Sequence, residues 1–491
     1  MRDTRVHQRI RHLASRIPTN TALSMRLRHP LILAAVCLGY FMAVLDSTVV
    51  NVALPDMARS LHTGIAGMQW VVDGYALLFA SLLLTAGTLG DRWGNKETFA
   101  AGLGLFTLAS ALCGVAPNLG TLIAFRALQG VGAAVQVPAS LALLRHHYHD
   151  ARERAQAIGI WAAVTGVAVA AGPVVGGILT HALSWRSVFL VNIPVGILGI
   201  ILTLRYVPAV PRVAHGDLDL VAQALAILAL AGLTFALIQG GVWGWTSAPV
   251  LVAGVAACLA AVYWYENERA AEHPMLPLEL FRDSTFSAAN AVGAILSFGF
   301  YGELFLMSLF FQQVQHRTAL AAGLALLPQT AVVSIANFVS GHLTARYGSR
   351  PPMVYGLALA GAGLLGLAYI NARASLAVTV GPMVAVGLGA ALAMPAMTAA
   401  AIEHTPKDRA GIGSAVLNAS RQVGGVMGIA LLGALISGHL MSGLHWGMLV
   451  SGALFLIGSG LSLRFVDKNV RGAQYAVADG AGSRARDRRR A

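Results

Sequence analysis

The stretch "GTLGDRWG", residues 87–94, decides the organisation of the chain, because "GHLTARYG" repeats its pattern at residues 341–348. Both stretches lie between long apolar runs and combine glycines, which permit tight turns, with one arginine. The two copies are 254 residues apart, and Ala345 of the second copy replaces the acid Asp91 of the first. The repetition predicts that the chain consists of two similar halves.

Two further pairs of segments support this repeat. "GVGAAVQVPA" begins at residue 130 and "GLGAALAMPA" begins 257 residues later, and the dipeptide at Arg154 returns 255 residues later at Arg409. Near-equal offsets in three blocks are hard to obtain from a chance likeness of Gly/Ala-rich helices. Parallel repeats of this kind build transporters, in which the substrate site lies near the middle of the membrane.

The composition indicates a membrane protein. Of the 491 residues, 56% are hydrophobic and 11% are charged, and the mean hydropathy is +0.68, whereas soluble domains carry about 25% charged residues. Runs of about twenty apolar residues, the length of a membrane-spanning helix, predict an all-α membrane protein with fourteen spans. The predicted spans are 31–53, 67–89, 98–116, 121–144, 155–179, 188–207, 219–240, 249–265, 286–311, 320–343, 353–371, 376–400, 412–437 and 445–465.

The repeat divides these spans into two predicted six-helix bundles. Spans 1–6 occupy residues 31–207 and spans 9–14 occupy residues 286–465, so spans 7 and 8, within residues 208–285, form an inserted pair. A basic N-terminus, residues 1–30, and a basic tail, residues 466–491, complete the chain. The apolar run after the N-terminus is too long for a cleaved signal peptide and is interpreted as the first span.

The placement of positive charge predicts the orientation. The formal net charge is +13, and basic residues concentrate in the two termini and in the connections that follow even-numbered spans. The opposite connections include Arg186, Arg317 and Arg373. This asymmetry predicts an inner (plasma) membrane protein with both termini in the cytoplasm. Basic tails of membrane proteins usually face anionic lipid, so we expect the lipid bilayer as partner and no nucleic acid.

The predicted spans contain five charged residues in their interior. Three are carboxylates (Asp46, Asp73 and Glu303) and two are bases (Arg126 and Arg421). Buried charges in membrane helices are costly, and they face a partner or an aqueous cavity. An isolated carboxylate at low dielectric can bind a proton near neutral pH, and a neighbouring arginine opposes this. We therefore predict proton coupling by Asp46, Arg126 and Asp73. The alternative for Asp46 is a packing hydrogen bond, and the alternative for Glu303 is an ion pair with Arg421.

Substrate contacts are predicted from the same set. Arg126 and Gln129 are three residues apart and lie on one face of span 4. Glu303, Asp73 and Gln129 are the predicted substrate-binding residues. Because carboxylates outnumber bases inside the spans, we expect lipophilic, cationic, drug-like substrates.

Span 5 contains closely spaced small residues. Gly166, Ala170, Pro173 and Gly177 form one stripe, and Gly172 with Gly176 adds a GxxxG step. Small residues allow close contact between helices, and proline allows a bend. Plain helix packing is an equally good interpretation of the stripe.

These motifs together resemble a known family. "GTLGDRWGNK" resembles the loop signature of the major facilitator superfamily, and the segments beginning at residues 45, 126, 166 and 185 ("LDSTVVNVALP", "RALQGVGAA", "GVAVAAGPVVGG" and "WRSVFLVNIPVG") resemble its drug:proton antiporter branch with fourteen spans. The resemblance, over roughly residues 31–465, implies the major facilitator fold, alternating access, and export of amphipathic compounds in exchange for protons.

The resemblance also implies roles for single residues. Arg126 is similar to a residue of proton coupling, and Gly172 and Pro173 are similar to the antiporter hinge, to which we add Gly166, Gly176 and Gly177. The residues of the predicted cytoplasmic latch are Gly87, Gly90, Asp91, Arg92, Gly94 and Lys96. In this latch Asp91 can cap a helix, and Arg92 and Lys96 can pair with neighbouring acids.

Other classes of function lack motifs in this sequence. The patterns GxxxxGK[ST], HExxH and GxSxG do not occur, so we expect no ATPase subunit, no enzyme activity, no metal and no cofactor, and a proton gradient as the energy source. "GAGLLG" at 361–366 lies within an apolar run and is interpreted as helix packing. Within the transporter class, a dedicated exporter of one antibiotic or metabolite competes with a multidrug exporter. A membrane-embedded enzyme or a channel is the remote alternative.

Overall fold

The computed structural model describes residues 20–148, 150–209, 219–271, 274–406 and 409–468. The side chains of residues 20–28 and of Asp91 are among those outside the description, as are most of the predicted basic N-terminus and basic tail. In the described ranges the chain is helical, which confirms the all-α prediction.

Fourteen long helices follow one another along the described chain. They are α1 (Asn20–Ser60), α2 (Ile65–Trp93), α3 (Asn95–Gly114), α4 (Leu119–His147), α5 (Ala151–Ala182), α6 (Asn192–Tyr206), α7 (Leu220–Trp243), α8 (Ala248–Ala270), α9 (Ser284–Leu309), α10 (Ala319–Tyr347), α11 (Arg350–Leu367), α12 (Leu376–Glu403), α13 (Ala410–Ile436) and α14 (Leu440–Phe465). Three short segments adjoin them: the one-turn helix Ser187–Leu190 before α6, the 3₁₀ helix Leu278–Arg282 before α9, and the π-helical turn Phe310–Val314 after α9.

Thirteen helices of the described chain are long and apolar enough to cross a membrane. A helix lies over each predicted span, but α11 is not one of the thirteen. It is 18 residues long and begins with Arg350 followed by two prolines, so its apolar part is short. The prediction of fourteen spans is therefore not confirmed, although the polytopic character is.

The turn between α2 and α3 is as tight as its glycines predict. Gly94 alone separates the two helices, with φ of 101°, and its N–H donates to the carbonyl oxygen of Gly90 at 3.0 Å. Gly348 ends α10 in the same way with φ of 82°. Side chains strain the backbone at these angles, so glycine is required. The single-residue turn reverses the chain between α2 and α3, and both helices pack on α4.

Successive reversals give the molecule two ends. The odd-loop end contains the connections that follow odd-numbered helices, and the even-loop end contains the others. At the odd-loop end, His62 and His316 adopt the same left-handed φ of 53° and are 254 residues apart, so the internal repeat extends to the backbone of these turns. Both histidines line an opening of about 910 Å³ to which both halves contribute.

The first half is α1–α6 and the second half is α9–α14. The halves meet along two seams, α5 against α10 and α2 against α13. Near the odd-loop end, hydrogen bonds join one half to the other. The Gln312 side chain donates to the carbonyl of Val52 at 3.0 Å, and Gln69 Nε2 donates to the carbonyl of Ala430 at 2.8 Å.

Of the inserted helices, α8 packs on α7, whereas α7 also contacts α2 and α13. Near the start of α7, Gln223 donates to the carbonyl of Ser81 in α2 at 3.0 Å. Near its end, the carbonyl of Gly241 accepts from the Ser437 hydroxyl just beyond α13 at 2.8 Å. Helix α7 is thus attached to both halves.

Candidate functional site

Asp46 of α1 and Arg126 of α4 form a fully buried ion pair. Gln129, one turn after Arg126, donates its amide to the second carboxylate oxygen of Asp46 at 2.9 Å. Arg126 also donates to the amide oxygen of Gln129 at 2.8 Å. The polar face of α4 identified from the sequence therefore meets the acid of α1, and the three side chains form one network.

Two polar residues that the sequence analysis did not single out complete this network. Asn192, the first residue of α6, donates to Asp46 Oδ1 at 3.2 Å and to the hydroxyl of Ser110 at 3.0 Å. The Ser110 hydroxyl donates in turn to the carbonyl of Phe189 at 2.8 Å. An asparagine inside the apolar run "FLVNIPVG" was the available signal. Asp46 accepts hydrogen bonds from α4 and α6, so it links three helices of the first half.

Arg126 has partners besides the acid. Its Nε donates to the carbonyl of Val71 in α2 at 2.9 Å, and its guanidinium lies 4.5 Å from the ring centre of Tyr75 and 5.6 Å from that of Phe189. Aromatic faces stabilise a cation that has lost water. These contacts add to the ion pair in holding the guanidinium in place.

Asp73 is fully buried in α2 and joins no part of this network. Among the described residues, neither of its carboxylate oxygens has a hydrogen-bond partner. It lies one helical turn after Gln69, whose side chain bonds to carbonyls of α13. Residues four apart share a helix face, so Asp73 faces the seam between α2 and α13.

Glu303 of α9 is also fully buried, and its partner is Gln329 of α10, which donates to Glu303 Oε2 at 2.6 Å. The alternative of an ion pair with Arg421 is wrong: among the described residues, no acid lies within ion-pair distance of Arg421. Arg421 is directed towards α12, where its Nη2 is 3.8 Å from the sulfur of Met394, whereas Glu303 faces α10.

The small residues of α5 divide into two faces. Gly172 and Gly176 face α1 within the first half. A Cβ at Gly172 would collide with the hydroxyl of Thr48, and one at Gly176 would lie 2.5 Å from the carbonyl oxygen of Val49. The GxxxG step therefore packs two helices of one bundle together.

The other face of α5 meets α10 of the second half. A Cβ at Gly177 would lie 2.8 Å from the carbonyl oxygen of Ala319, and one at Gly166 would lie 3.2 Å from the Cα of Ser334. The Ser334 hydroxyl donates to the carbonyl of Gly166 at 2.7 Å. Gly166 and Gly177 of the predicted hinge thus lie at the seam between the halves, while Gly172 and Gly176 do not.

Helix α13 has a small-residue step that the sequence analysis missed. Gly424 and Gly428 lie against the backbone carbonyls of Ala294 and Phe298 in α9. The GxxxG spacing in "GGVMG" was the available signal. Close backbone packing of this kind occurs in both halves.

The predicted latch has a different set of partners from those expected. Lys96 donates to the carbonyl of Leu204 near the end of α6 at 3.2 Å, so its partner is a helix terminus and not an acid. Among the described side chains, Arg92 has no ion pair and is exposed. The side chain of Asp91 lies outside the description. A Cβ at Gly87 would meet no atom within 4 Å.

A titratable cluster lies at the even-loop end of the second half. Asp283 accepts from the amide of Phe286 at 2.9 Å, which caps α9, and its other oxygen is 3.0 Å from Nδ1 of His404. Asp467 lies 3.7 Å from the other ring nitrogen of His404. Burial alone raises the pKa of Asp283, but the hydrogen bonds from His404 and Phe286 outweigh it, and the pKa is lowered.

The sequence and the fold both have known relatives. The sequence pattern of the Major Facilitator Superfamily matches residues 36–429. A "Methylenomycin A resistance protein" of Streptomyces coelicolor is 38% identical over 450 residues, which cover 91% of this chain and 94% of the relative. "Multidrug resistance protein Stp" of Mycobacterium tuberculosis is 39% identical over 415 residues, which cover 84% of this chain and 77% of the relative.

The fold is shared with a more distant transporter. One solved relative is a bacterial homologue of the human lysosomal transporter Spinster, in an inward-facing and unoccupied conformation. Its crystal structure superposes on this chain with a TM-score of 0.61 at 18% sequence identity. The superposition covers 90% of this chain and 98% of the relative. The two-bundle fold and the extent of the sequence match agree with the resemblance seen in the motifs. The chain belongs to the Major Facilitator Superfamily and is a secondary transporter, not an enzyme.

Proposed function

We propose that this transporter exports small amphipathic compounds in exchange for protons, and that Asp46 binds the coupling proton. The observation behind the proposal is the fully buried pair of Asp46 and Arg126, bonded to Gln129 and Asn192. A membrane protein retains such a pair only where it stabilises structure or transfers charge. The names of the relatives, which refer to antibiotic and multidrug resistance, support export.

Proton binding at Asp46 would act on an equilibrium between two conformations. A protonated Asp46 no longer attracts Arg126, and the contacts among α1, α4 and α6 weaken together because one carboxylate joins them. Arg126 keeps its bond to Val71 and its aromatic contacts, so α1 is the helix that gains freedom to move. A proton that binds one conformation more tightly shifts the population towards it, and that bias is the requirement for coupling.

The seams supply the surfaces on which the halves move. Small residues at Gly166 and Gly177 let the backbones of α5 and α10 approach closely. The glycines at this seam are the hinge residues of the proposal, together with Pro173.

We place the protein in the plasma membrane with both termini and the even-loop end in the cytoplasm. The excess of arginine and lysine in the even-numbered connections supports this orientation. Arg59, at the end of α1, is a further basic residue of the odd-loop end. With it the odd-loop end still carries far fewer arginines and lysines than the even-loop end, so the asymmetry remains.

Export of many cationic compounds and export of one dedicated compound are both consistent with the buried acids. The carboxylates of Glu303 and Asp73 favour cationic compounds, if the movement of the halves opens a path to them. A dedicated exporter of one compound is the competing proposal, and it is supported by the relative named for resistance to methylenomycin A.

The test is transport in proteoliposomes with and without a pH gradient, for wild type and Asp46→Asn. We expect the gradient to drive accumulation of an amphipathic dye by wild type, and we expect Asp46→Asn to bind the dye but to lose the response to the gradient. Glu266→Gln, on the exposed surface of α8, is the matched control and should transport normally. Gradient-driven transport by Asp46→Asn at the wild-type rate would refute the role of Asp46.

A further inference from the structure

A polar stripe runs along α13 of the second half. Ser414, Asn418 and Arg421 are spaced at i, i+4 and i+7 and therefore share one helix face. All three are half-buried, whereas Asp46, Asp73 and Glu303 are fully buried. Of these charged groups in the middle of the spans, Arg421 is thus the one that solvent or a solute can reach in this conformation.

The charge of Arg421 has no counter-charge nearby. Among the described residues no acid lies within 4.0 Å of it. Its Nε is buried without a hydrogen-bond partner, and the contact of Nη2 with the Met394 sulfur at 3.8 Å is weak. A guanidinium is always ionised and donates five N–H groups. An unpaired guanidinium at this depth is costly unless a ligand supplies the missing acceptor.

Aromatic side chains lie close to the arginine. The Tyr301 ring of α9 packs against Gly425, one helical turn after Arg421 on α13, where a Cβ would lie 3.3 Å from the Tyr301 Cδ2 atom. Tyr301 also lies near Ser47 of α1 in the first half, and Tyr40 lies two turns before Ser47 on the same face of α1. Tyr40 stacks on Trp161 of α5, with ring centres 4.0 Å apart and planes 9° from parallel. The wall of Tyr40, Trp161 and Tyr301 therefore has members from both halves. Flat aromatic faces beside one charged group are the usual construction of a site for a small amphipathic ligand.

We infer that Arg421 and the aromatic wall form a binding site for the acidic group and the ring system of amphipathic acids, so that the exported compounds include carboxylates and zwitterions. The inference rests on the proposed export function and specifies its substrate class. A guanidinium binds a carboxylate through two parallel hydrogen bonds, which supplies an acceptor for the unpaired donors of Arg421.

The test uses two dyes of opposite charge, fluorescein as the acid and ethidium as the cation, in the same proteoliposomes. We expect Arg421→Gln to lower fluorescein transport about tenfold and ethidium transport less than twofold, because only the acid loses a charged hydrogen-bond donor. Arg421→Lys keeps the charge and should recover part of the fluorescein transport. Unchanged fluorescein transport by Arg421→Gln, or equal loss for both dyes, would overturn the inference.

Binding in detergent separates this inference from the proposed function. Fluorescein anisotropy measures binding without any gradient, and Arg421→Gln should weaken binding about tenfold while Asp46→Asn should not. If wild type binds fluorescein but no gradient drives transport of either dye, proton-driven export fails and the acid site stands. If wild type and Arg421→Gln bind fluorescein equally, the acid site fails whatever the transport result.

Discussion

Gly323 of α10 lies directly against the carbonyl oxygen of Pro173 in α5, so that the two halves of the transporter touch backbone to backbone. No side chain separates the helices at this point. Pro173 belongs to the predicted hinge of α5, and Gly323 is its counterpart on the other half, which the sequence analysis did not identify. The contact makes the seam sensitive to a single added methyl group.

Gly323→Ala should therefore reduce transport with a small effect on the stability of either half. The added Cβ would collide with the Pro173 carbonyl and force the halves apart. The measurement is the rate of gradient-driven dye transport together with the melting temperature in detergent. Gly341→Ala, on the same helix where a Cβ meets no atom within 4 Å, is the control and should match wild type. Normal transport by Gly323→Ala would show that the seam tolerates separation.

Gly172→Leu should mainly lower stability. The sequence places Gly172 in the hinge and favours an effect on coupling, but in the structure it packs on Thr48 within the first half. A bulky side chain there separates α1 from α5 and should lower the melting temperature and the yield of folded protein. If Gly172→Leu has wild-type stability but no transport, Gly172 acts in the hinge and not only in packing.

Asn192→Ala tests the network that surrounds the coupling acid. Removing its hydrogen bond to Asp46 Oδ1 takes away one donor that favours the ionised carboxylate. The link between α1 and α6 should weaken, and gradient-driven dye transport should fall below that of wild type while dye binding in detergent is retained. Arg126→Ala, which removes the ion pair itself, should lower transport further. Transport by Asn192→Ala at the wild-type rate would mean that Asn192 only fills space.

Glu303→Gln tests the predicted preference for cations. Neutralising the carboxylate removes a Coulomb attraction that is strong only at low dielectric. Ethidium transport should fall more than fluorescein transport, which is the reverse of the pattern expected for Arg421→Gln. Equal loss for both dyes would identify the Glu303–Gln329 contact as structural.

Asp283→Ala should lower the melting temperature in a pH-dependent way. Asp283 caps α9 and contacts His404, and loss of such a cap costs about 1 kcal/mol. Because its pKa is lowered from the ordinary value of 3.8 on folding, its stabilisation is present well above that value and is lost as the pH falls below it. The difference from wild type should be largest at pH 7 and should shrink at pH 3. Thr318→Ala, which removes an uncharged cap from α10, should show no such pH dependence.

The sequence predicted the features that depend on residue type and spacing. Apolar runs and the internal repeat gave the helices and the halves. Asp46 and Arg126 could be paired in advance because charges are rare in the spans and both lie in the same half. Gly94 could be assigned to a turn because few residues adopt its φ.

Features that depend on the rotation of one helix against another were not predictable. Pairing Glu303 with Arg421 followed from counting charges, but the two side chains point towards different neighbouring helices. The division of the α5 glycines between α1 and α10 likewise requires knowledge of which helices lie on each side. Asn192 was missed because the sequence does not show which helix its side chain faces, and only the structure shows that it reaches Asp46.

Helix α7 gives the inserted pair a mechanical meaning. It is fastened at one end to the first half through Gln223 and Ser81, and at the other end to the second half through Gly241 and Ser437. Both bonds belong to one helix, so a movement of one half relative to the other must break one of them or carry α7 along. The inserted pair therefore couples the two halves mechanically at a place outside the seams where they meet.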